Sequence, residues 1–421
     1  MNVDFWGRAL SYHFLNDNRF PNTGQSTTFS GAIRNQTSFK EKNMPYPIIL
    51  SVEREDKTLT VDGTSAIFEM SPYEWGTFST EYSQFVPIEY VGTDLNDNSV
   101  NGTCYMGLEN AGFTFGSSAT LFNAALLQLQ SSGSQSTFNN VVQDLLGDFS
   151  ETQDDVALWK NPFVGFESDR SRRANNSNIA LVDGGEALEN IPLWPHLKPE
   201  REVDLVLAFD SSADTTSSFP NGTSLYATYN HSLHDAKINS PEMPTADQMV
   251  AQGLNTRPTF FGCDAENNSV PIIAYIPSYP YVYNANQSTY KLQYDFDESS
   301  AMIANGMASM SLNGLVDDWK QCLGCALVKR SVDRMGLDQS SECQKCFTEW
   351  CWNSDTVDTS NVEDYEPGIP STPSFVQSKS NGNDPAIEPY HIDSGVGSIF
   401  SKDTLMVAVI AVAISSLLLL N

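Results

Sequence analysis

The chain has 421 residues, 40% of them apolar and 11% aromatic, so it can bury a sizeable core and is not disordered throughout. Asp and Glu number 52 against 23 Lys and Arg, a formal charge of −29. A groove that tracks nucleic-acid phosphates needs the opposite balance, so general nucleic-acid binding is excluded as a function.

Taken in chain order, residues 5–15 place Phe5, Leu10, Phe14 and Leu15 on one face of an amphipathic helix. Apolar runs at 48–52 and 66–70 read as strands. Helices follow at 119–129 and 138–146, strands at 179–182 and 203–209, a helix at 246–254, a strand at 272–276, and helices at 299–310 and 322–334. No repeat period is evident. Strands separated by helices over this length predict an α/β fold, a sheet with helices on both faces. From about residue 355 the composition turns to Ser, Pro, Asn and acidic residues, which reads as a disordered stalk. The expected organisation is a catalytic portion at 1–355, a stalk at 356–395 and an anchor signal at 396–421.

The two ends carry topological signals. Residues 405–420 form an apolar run that stops one residue before the chain does, short of the roughly 20 residues of a bilayer span. A polar spacer at 398–404 and the small residues Ser394, Gly395 and Val396 precede it. That order is the one of a glycosylphosphatidylinositol (GPI) signal, with Ser394 as the attachment candidate and a membrane as the partner. A tail-anchored helix is the alternative. N-x-[ST] acceptors at Asn35, Asn101, Asn175, Asn221, Asn230, Asn267 and Asn286 fit a secreted surface. The first twenty residues have neither the charged start nor the apolar stretch of a secretory signal. The expectation is therefore the C-terminal part of a longer protein, or a truncated gene product.

The seven cysteines are Cys104, Cys263, Cys322, Cys325, Cys343, Cys346 and Cys351. Cys322-x2-Cys325 and Cys343-x2-Cys346 match a four-thiolate zinc spacing. The sequons and the anchor signal favour disulfides, with a pairing that the spacing does not settle. An odd count leaves one thiol over, and Cys104 or Cys263 is expected to pair outside this chain.

The chemistry is most suggestive at 178–193. Four apolar residues run into Asp183, Gly184 and Gly185. A buried strand ending in Asp puts a carboxylate at the carboxyl edge of a sheet, where α/β folds place ligands. Asp183 there suits a general base or an orienter. The alternative is a turn Asp that caps a helix starting near Glu186. Residues 203–209 end similarly at Asp210, followed by Asp214, either a second polar edge or a solvated turn. Gly116-Ser117-Ser118 could expose a hydroxyl before a helix, or simply cap it. His231 and His234 could share a metal, or lie on a solvated face. The Tyr-rich run at 275–283 could grip acyl chains, or pack over a core.

The strings VDGGEALENIPLWP, DLVLAFDSSADTTSSFPNGTSLYATY, NAGFTFGSSATLFN, SPYEWGTF, RPTFFGC and CLGCALVKR…CQKCFTEWCW resemble the fungal phospholipase B/lysophospholipase family, whose catalytic domain is similar to that of cytosolic phospholipase A2 and patatin. The resemblance runs from about Phe5 to Trp352. It implies a mixed sheet flanked by helices, and a Ser–Asp dyad that hydrolyses acyl esters of phospholipids and lysophospholipids without His or any cofactor. It also implies a secreted or GPI-anchored glycoprotein at the cell surface. The Asp of its D-G-G motif carries over onto Asp183, with Gly184 and Gly185 beside it. The nucleophile, a Ser in G-x-S-G-G, does not carry over. Ser26, Ser65, Ser118 and Ser224 have Gly two positions before but none two positions after. The family's oxyanion loop and catalytic Arg lie upstream of what corresponds to Phe5. Three readings follow: a lipid-acyl hydrolase, an inactive remnant that keeps only the Asp, and a zinc-ribbon protein.

Overall fold

The computed structural model describes residues 3–14, 27–120, 156–166 and 176–380, apart from short gaps at 56–57, 59, 81, 97–98, 236–237, 265–266, 288–290, 292–293, 356, 361, 363–366 and 369–370. The chain divides into two compact units between Leu188 and Glu189. The predicted helices at 121–129 and 138–146, and the apolar run at 405–420, lie outside the described residues.

The first unit is built on a six-stranded sheet in the order β4-β3-β2-β1-β8-β7. Its strands are β1 (Ile49–Glu53), β2 (Ile67–Met70), β3 (Glu74–Thr77), β4 (Gln84–Pro87), β7 (Ala157–Lys160) and β8 (Asn178–Val182). A hairpin of β5 (Leu95–Asn96) and β6 (Ser99–Val100) lies between β4 and β7 in sequence. Every pairing in the large sheet is antiparallel, which short turns between β2, β3 and β4 allow. Phe68, Trp75, Tyr82, Trp159 and Phe163 form an aromatic core on it, with Phe68 and Trp75 rings 4.9 Å apart.

Among the described residues this unit also holds helices α1 (Val3–Phe14), α2 (Phe29–Arg34), α3 (Thr37–Lys40) and α4 (Ala111–Ser117). Asn110 caps α4 by accepting from the Phe113 amide at 3.0 Å, and Thr28 caps α2 from the Gly31 amide. α1 and α4 cross at glycines. A Cβ on Gly7 would stand 2.2 Å from the Gly112 carbonyl oxygen, so only hydrogen lets these backbones meet.

The second unit holds a three-stranded sheet in the order β10-β11-β9, from β9 (Leu205–Asp210), β10 (Thr259–Phe261) and β11 (Ile272–Pro277). β9 and β11 run parallel, and β10 pairs antiparallel with β11. Its helices are α5 (Thr223–Ser232), α6 (Ala246–Ala251), α7 (Phe296–Ser311), α8 (Trp319–Arg334), α9 (Ser341–Trp350) and α10 (Ser374–Lys379). The α/β expectation is met, but among the described residues the strands fall into a six-stranded, a three-stranded and a two-stranded sheet in place of one.

Two expectations are corrected here. The helical pattern after Asp183 resolves into 3-10 turns at Gly184–Ala187, Trp194–Leu197 and Pro199–Arg201, because Pro192, Pro195 and Pro199 deny an α-helix its amides. Within the stretch read as a disordered stalk, α10 is packed on the second unit. Val376 is buried, and the Phe375 ring meets Trp350 at 5.0 Å and the Arg257 guanidinium at 4.1 Å. Beside these two apolar side chains, Lys379 pairs with Glu349 at 2.5 Å and the Ser371 amide donates to the Pro280 carbonyl at 2.9 Å.

Candidate active site

Asp183 directly follows β8, whose neighbours β1 and β7 both run antiparallel to it, so the expected carboxyl edge of a parallel sheet is not present around it. β8 pairs with β1 through Val52↔Val182 and Glu53↔Leu181, which brings Ser51 to the level of Asp183. The side chain is buried, at 1% exposure. Its Oδ1 accepts from the Gly185 amide at 2.7 Å, and its own amide donates to Thr120 Oγ1 at 3.1 Å. The capping alternative is thus also real: Asp183 caps the turn Gly184–Ala187. The two roles coexist because one oxygen holds the turn while burial sets the charge. Burial pushes the carboxyl up to about 7, against the lowering pull of the Gly185 amide. Such a group exchanges a proton near neutral pH, as a general base must.

The surroundings are polar and tightly held. Ser51 Oγ donates to the Ser117 carbonyl at 2.8 Å, Ser117 Oγ donates to the Phe113 carbonyl at 2.8 Å, and Trp159 Nε1 donates to Ser117 Oγ at 2.9 Å. Ser118 Oγ donates to the Leu50 carbonyl. Ser117 and Ser118 therefore end α4, with hydroxyls turned to backbone carbonyls. Of the other half-motif serines, Ser65 precedes β2 in the first unit, Ser224 sits in α5 and accepts from the Ile191 amide at 2.7 Å, and Ser26 lies outside the described residues.

One neighbouring pair escaped the sequence reading. Arg54, just after β1, stands 3.7 Å from Glu186 with both side chains nearly fully buried. A Glu-Arg step at the end of an apolar run was the available signal. Glu53 is buried too and accepts from the Tyr82 hydroxyl at 3.0 Å.

Asp210 belongs to the second unit. It is buried, not part of a solvated turn. Tyr275 donates its hydroxyl to Oδ2 at 2.8 Å and the Ser212 amide donates to Oδ1 at 2.9 Å. Burial raises its carboxyl nonetheless. Asp214, which accepts from the Asn221 amide at 3.1 Å, is pushed up to about 7, first by burial and then by Asp210.

The histidines separate. His231 is buried, its Nδ1 2.8 Å from Glu189 Oε1 and its ring 4.6 Å from that of Trp194, while His234 is exposed beyond the helix. That is a core pair and no metal face. Tyr275, Tyr279 and Tyr281 are buried in the core, which answers the Tyr-rich run.

The cysteines form three disulfides: Cys322–Cys346, Cys325–Cys343 and Cys263–Cys351. The first two clamp α8 to α9, so the four-thiolate zinc reading fails. Of the two isolated cysteines, Cys263 pairs within the chain and Cys104 is a free, exposed thiol, the one left over by the odd count. Among the sequons, Asn35, Asn101, Asn230 and Asn267 are exposed and Asn221 and Asn286 half-buried. Asn286 Nδ2 donates to the Ser217 carbonyl at 2.9 Å. Asn175 and Ser394 lie outside the described residues.

Comparison with known proteins agrees with the residue pattern. The lysophospholipase catalytic domain matches residues 2–358. Lysophospholipase 1 of Aspergillus fumigatus is 39% identical over 376 residues, covering 87% of this chain and 59% of the relative. Phospholipase B of Cryptococcus neoformans var. neoformans is 39% identical over 384 residues, covering 89% of this chain and 60% of the relative. Among solved structures, human GIVD cytosolic phospholipase A2 aligns with a TM-score of 0.46 at 17% identity, over 67% of this chain and 41% of that one. The chain spans about three fifths of the length of these two fungal relatives. It belongs to the lysophospholipase catalytic domain family.

Proposed function

We propose that this chain supplies the base half of a phospholipid acyl hydrolase, cleaving acyl esters of phospholipids and lysophospholipids through a Ser–Asp dyad. The observation that carries the reading is Asp183: buried at the end of β8, tied to the Gly185 amide and pushed up to about 7. In the proposed step a serine hydroxyl gives its proton to this carboxylate as its oxygen attacks the ester carbonyl, the alcohol leaves, and water then releases the fatty acid. Only the ionised carboxylate can accept that proton, so the activity rises as pH passes upward through about 7.

The absence of any G-x-S-x-G favours a second reading, in which the chain by itself is catalytically inactive. Fatty-acid release from lysophosphatidylcholine, measured on the wild-type chain and on Asp183→Asn, tests both. The inactive reading expects no release from either. Release by the wild type alone would mean that a serine of this chain serves Asp183. Equal release by both would remove Asp183 from the reaction.

The proposal extends to location. Of the exposed sequon asparagines, Asn101, Asn230 and Asn267 are the ones proposed to carry glycans, and the composition of 396–421 supports a GPI signal with Ser394 as its site. No helix among the described residues is long and apolar enough to cross a membrane.

A further inference from the structure

Around one ion pair of the first unit, large apolar and aromatic side chains stand in solvent. Arg34 and Glu89 meet at 2.7 Å, and the Arg34 guanidinium lies 4.9 Å from the centre of the Tyr73 ring. Tyr73 stacks on Tyr46 with ring centres 6.2 Å apart, and Phe39 stands 6.1 Å from Tyr73 and 6.2 Å from Tyr46. On the other side of the pair, the Glu89 carbonyl accepts from the Gly107 amide at 2.8 Å. Thr93 Oγ1 donates to the Tyr105 carbonyl and accepts from the Tyr105 amide, both at 2.9 Å. The loop 105–108 is therefore tied down beside the same pair. Yet Tyr46 and Tyr73 are each 48% exposed, Met106 67% and Leu108 57%.

Single exposed apolar residues need no explanation, but two groups of them flanking one ion pair on pinned backbone mark an interaction surface. Its chemistry selects the partner. Tyrosine presents an apolar ring and a hydroxyl, the combination that suits a boundary between hydrocarbon and water. Lys40, the last residue of α3, and Lys42 are exposed next to Phe39. With Arg34 paired to Glu89, residues 34–42 leave the exposed Lys40 and Lys42 against Glu41, a local excess of one positive charge on a chain whose formal charge is −29. A protein so acidic approaches lipid phosphates best through a region where positive charge gathers.

We propose that this face docks onto a phospholipid surface, with Tyr46, Tyr73, Tyr105, Met106 and Leu108 at headgroup level and Lys40 and Lys42 against the phosphates. The choice of partner rests on the reading of the chain as part of a lipid hydrolase; the test does not use catalysis. Asn35 borders the face, so the docking requires it to carry no glycan.

The experiment is flotation of the full chain with phosphatidylcholine vesicles containing phosphatidylserine. All variants keep the apolar tail, so differences between them report the face. Tyr105→Ser/Met106→Ser/Leu108→Ser is expected to lower partitioning roughly tenfold or more. Lys40→Glu/Lys42→Glu, which touches no core, is expected to lower it roughly tenfold at low salt and little at 1 M salt. Binding equal to wild type by both variants overturns the inference. So does a loop variant that binds vesicles normally but changes the oligomeric state in vesicle-free solution, because the face then serves a second copy. A fully occupied glycan on Asn35 of the native protein overturns it as well. A chain that floats but hydrolyses nothing supports the docking and counts only against the catalytic reading.

Discussion

Asp183 and Asp210 each end an apolar strand and are each buried to the same degree, yet the chain treats them differently. After Asp183 come two glycines and a single 3-10 turn, and Oδ1 holds the Gly185 amide. Asp210 is bound across its sheet by the Tyr275 hydroxyl and along its own chain by the Ser212 amide, with Asp214 as an acidic neighbour. The difference teaches that burial alone raises a carboxyl, whereas its donors decide what that carboxyl is for. Asp210 reads as a strut between β9 and β11. Asp183, closed by a glycine turn, is the carboxyl that the proposed dyad would use as its proton acceptor.

The largest expected effect tests Asp183. Burial pushes its carboxyl up to about 7 in the folded chain from the ordinary 3.8, so the folded chain holds this proton more tightly than the unfolded one. Its contribution to stability is therefore present at low pH and is lost as pH rises from about 4 through 7. Asp183→Asn lacks that slope. In urea titrations the variant should match wild type near pH 4 and gain as much as roughly 4 kcal/mol over it by pH 8. A gap that does not widen with pH would place the carboxyl in a well-solvated site and dissolve the contrast.

Next comes the strut. Asp210→Ala leaves the Tyr275 hydroxyl and the Ser212 amide without their acceptor and should cost about 3 kcal/mol at pH 6. A loss under 1 kcal/mol in the same denaturation assay would deny it a structural role. Tyr275→Phe removes only the cross-sheet donor, so a loss of about 1.5 kcal/mol is expected, with a melting temperature lowered by a few degrees. The smallest change sharpens the other side. Thr120→Val deletes the acceptor of the Asp183 amide and should cost about 1 kcal/mol. Amide hydrogen exchange at residue 183 should quicken in that variant; an unchanged rate would mean that the amide is protected by something other than the threonine hydroxyl.

Much of this was legible in the residues. β1, β2, β8, β9 and β11 lie within two residues of their expected bounds, because runs such as IIAYIP are β-branched, apolar and bounded by turn formers. Helices α1, α7 and α8 were legible for the matching reason, apolar residues at helical spacing. β3, β4 and β7 were not. EWGT, QFVP and ALWK are four residues each, with a Gly, a Pro or a Lys in them, and are strands only because a neighbour offers backbone partners. The short helices α2, α4 and α9 were passed over too, since SECQKCFTEW shows polar residues where its inward face is made of disulfides.

What the sequence determined by itself is local: which segments can bury a face, where glycines permit a turn, and that a carboxylate closes β8. The pairing of Cys263 with Cys351, 88 residues apart, was decided by the tertiary structure. So were the division of the strands among separate sheets, the burial of Asp210 and the conversion of a Ser/Pro-rich stretch into docked α10. Spacing along a chain constrains only near neighbours. Desolvation, strand partnership and disulfide choice depend on which distant atoms arrive, and that is set when whole elements pack.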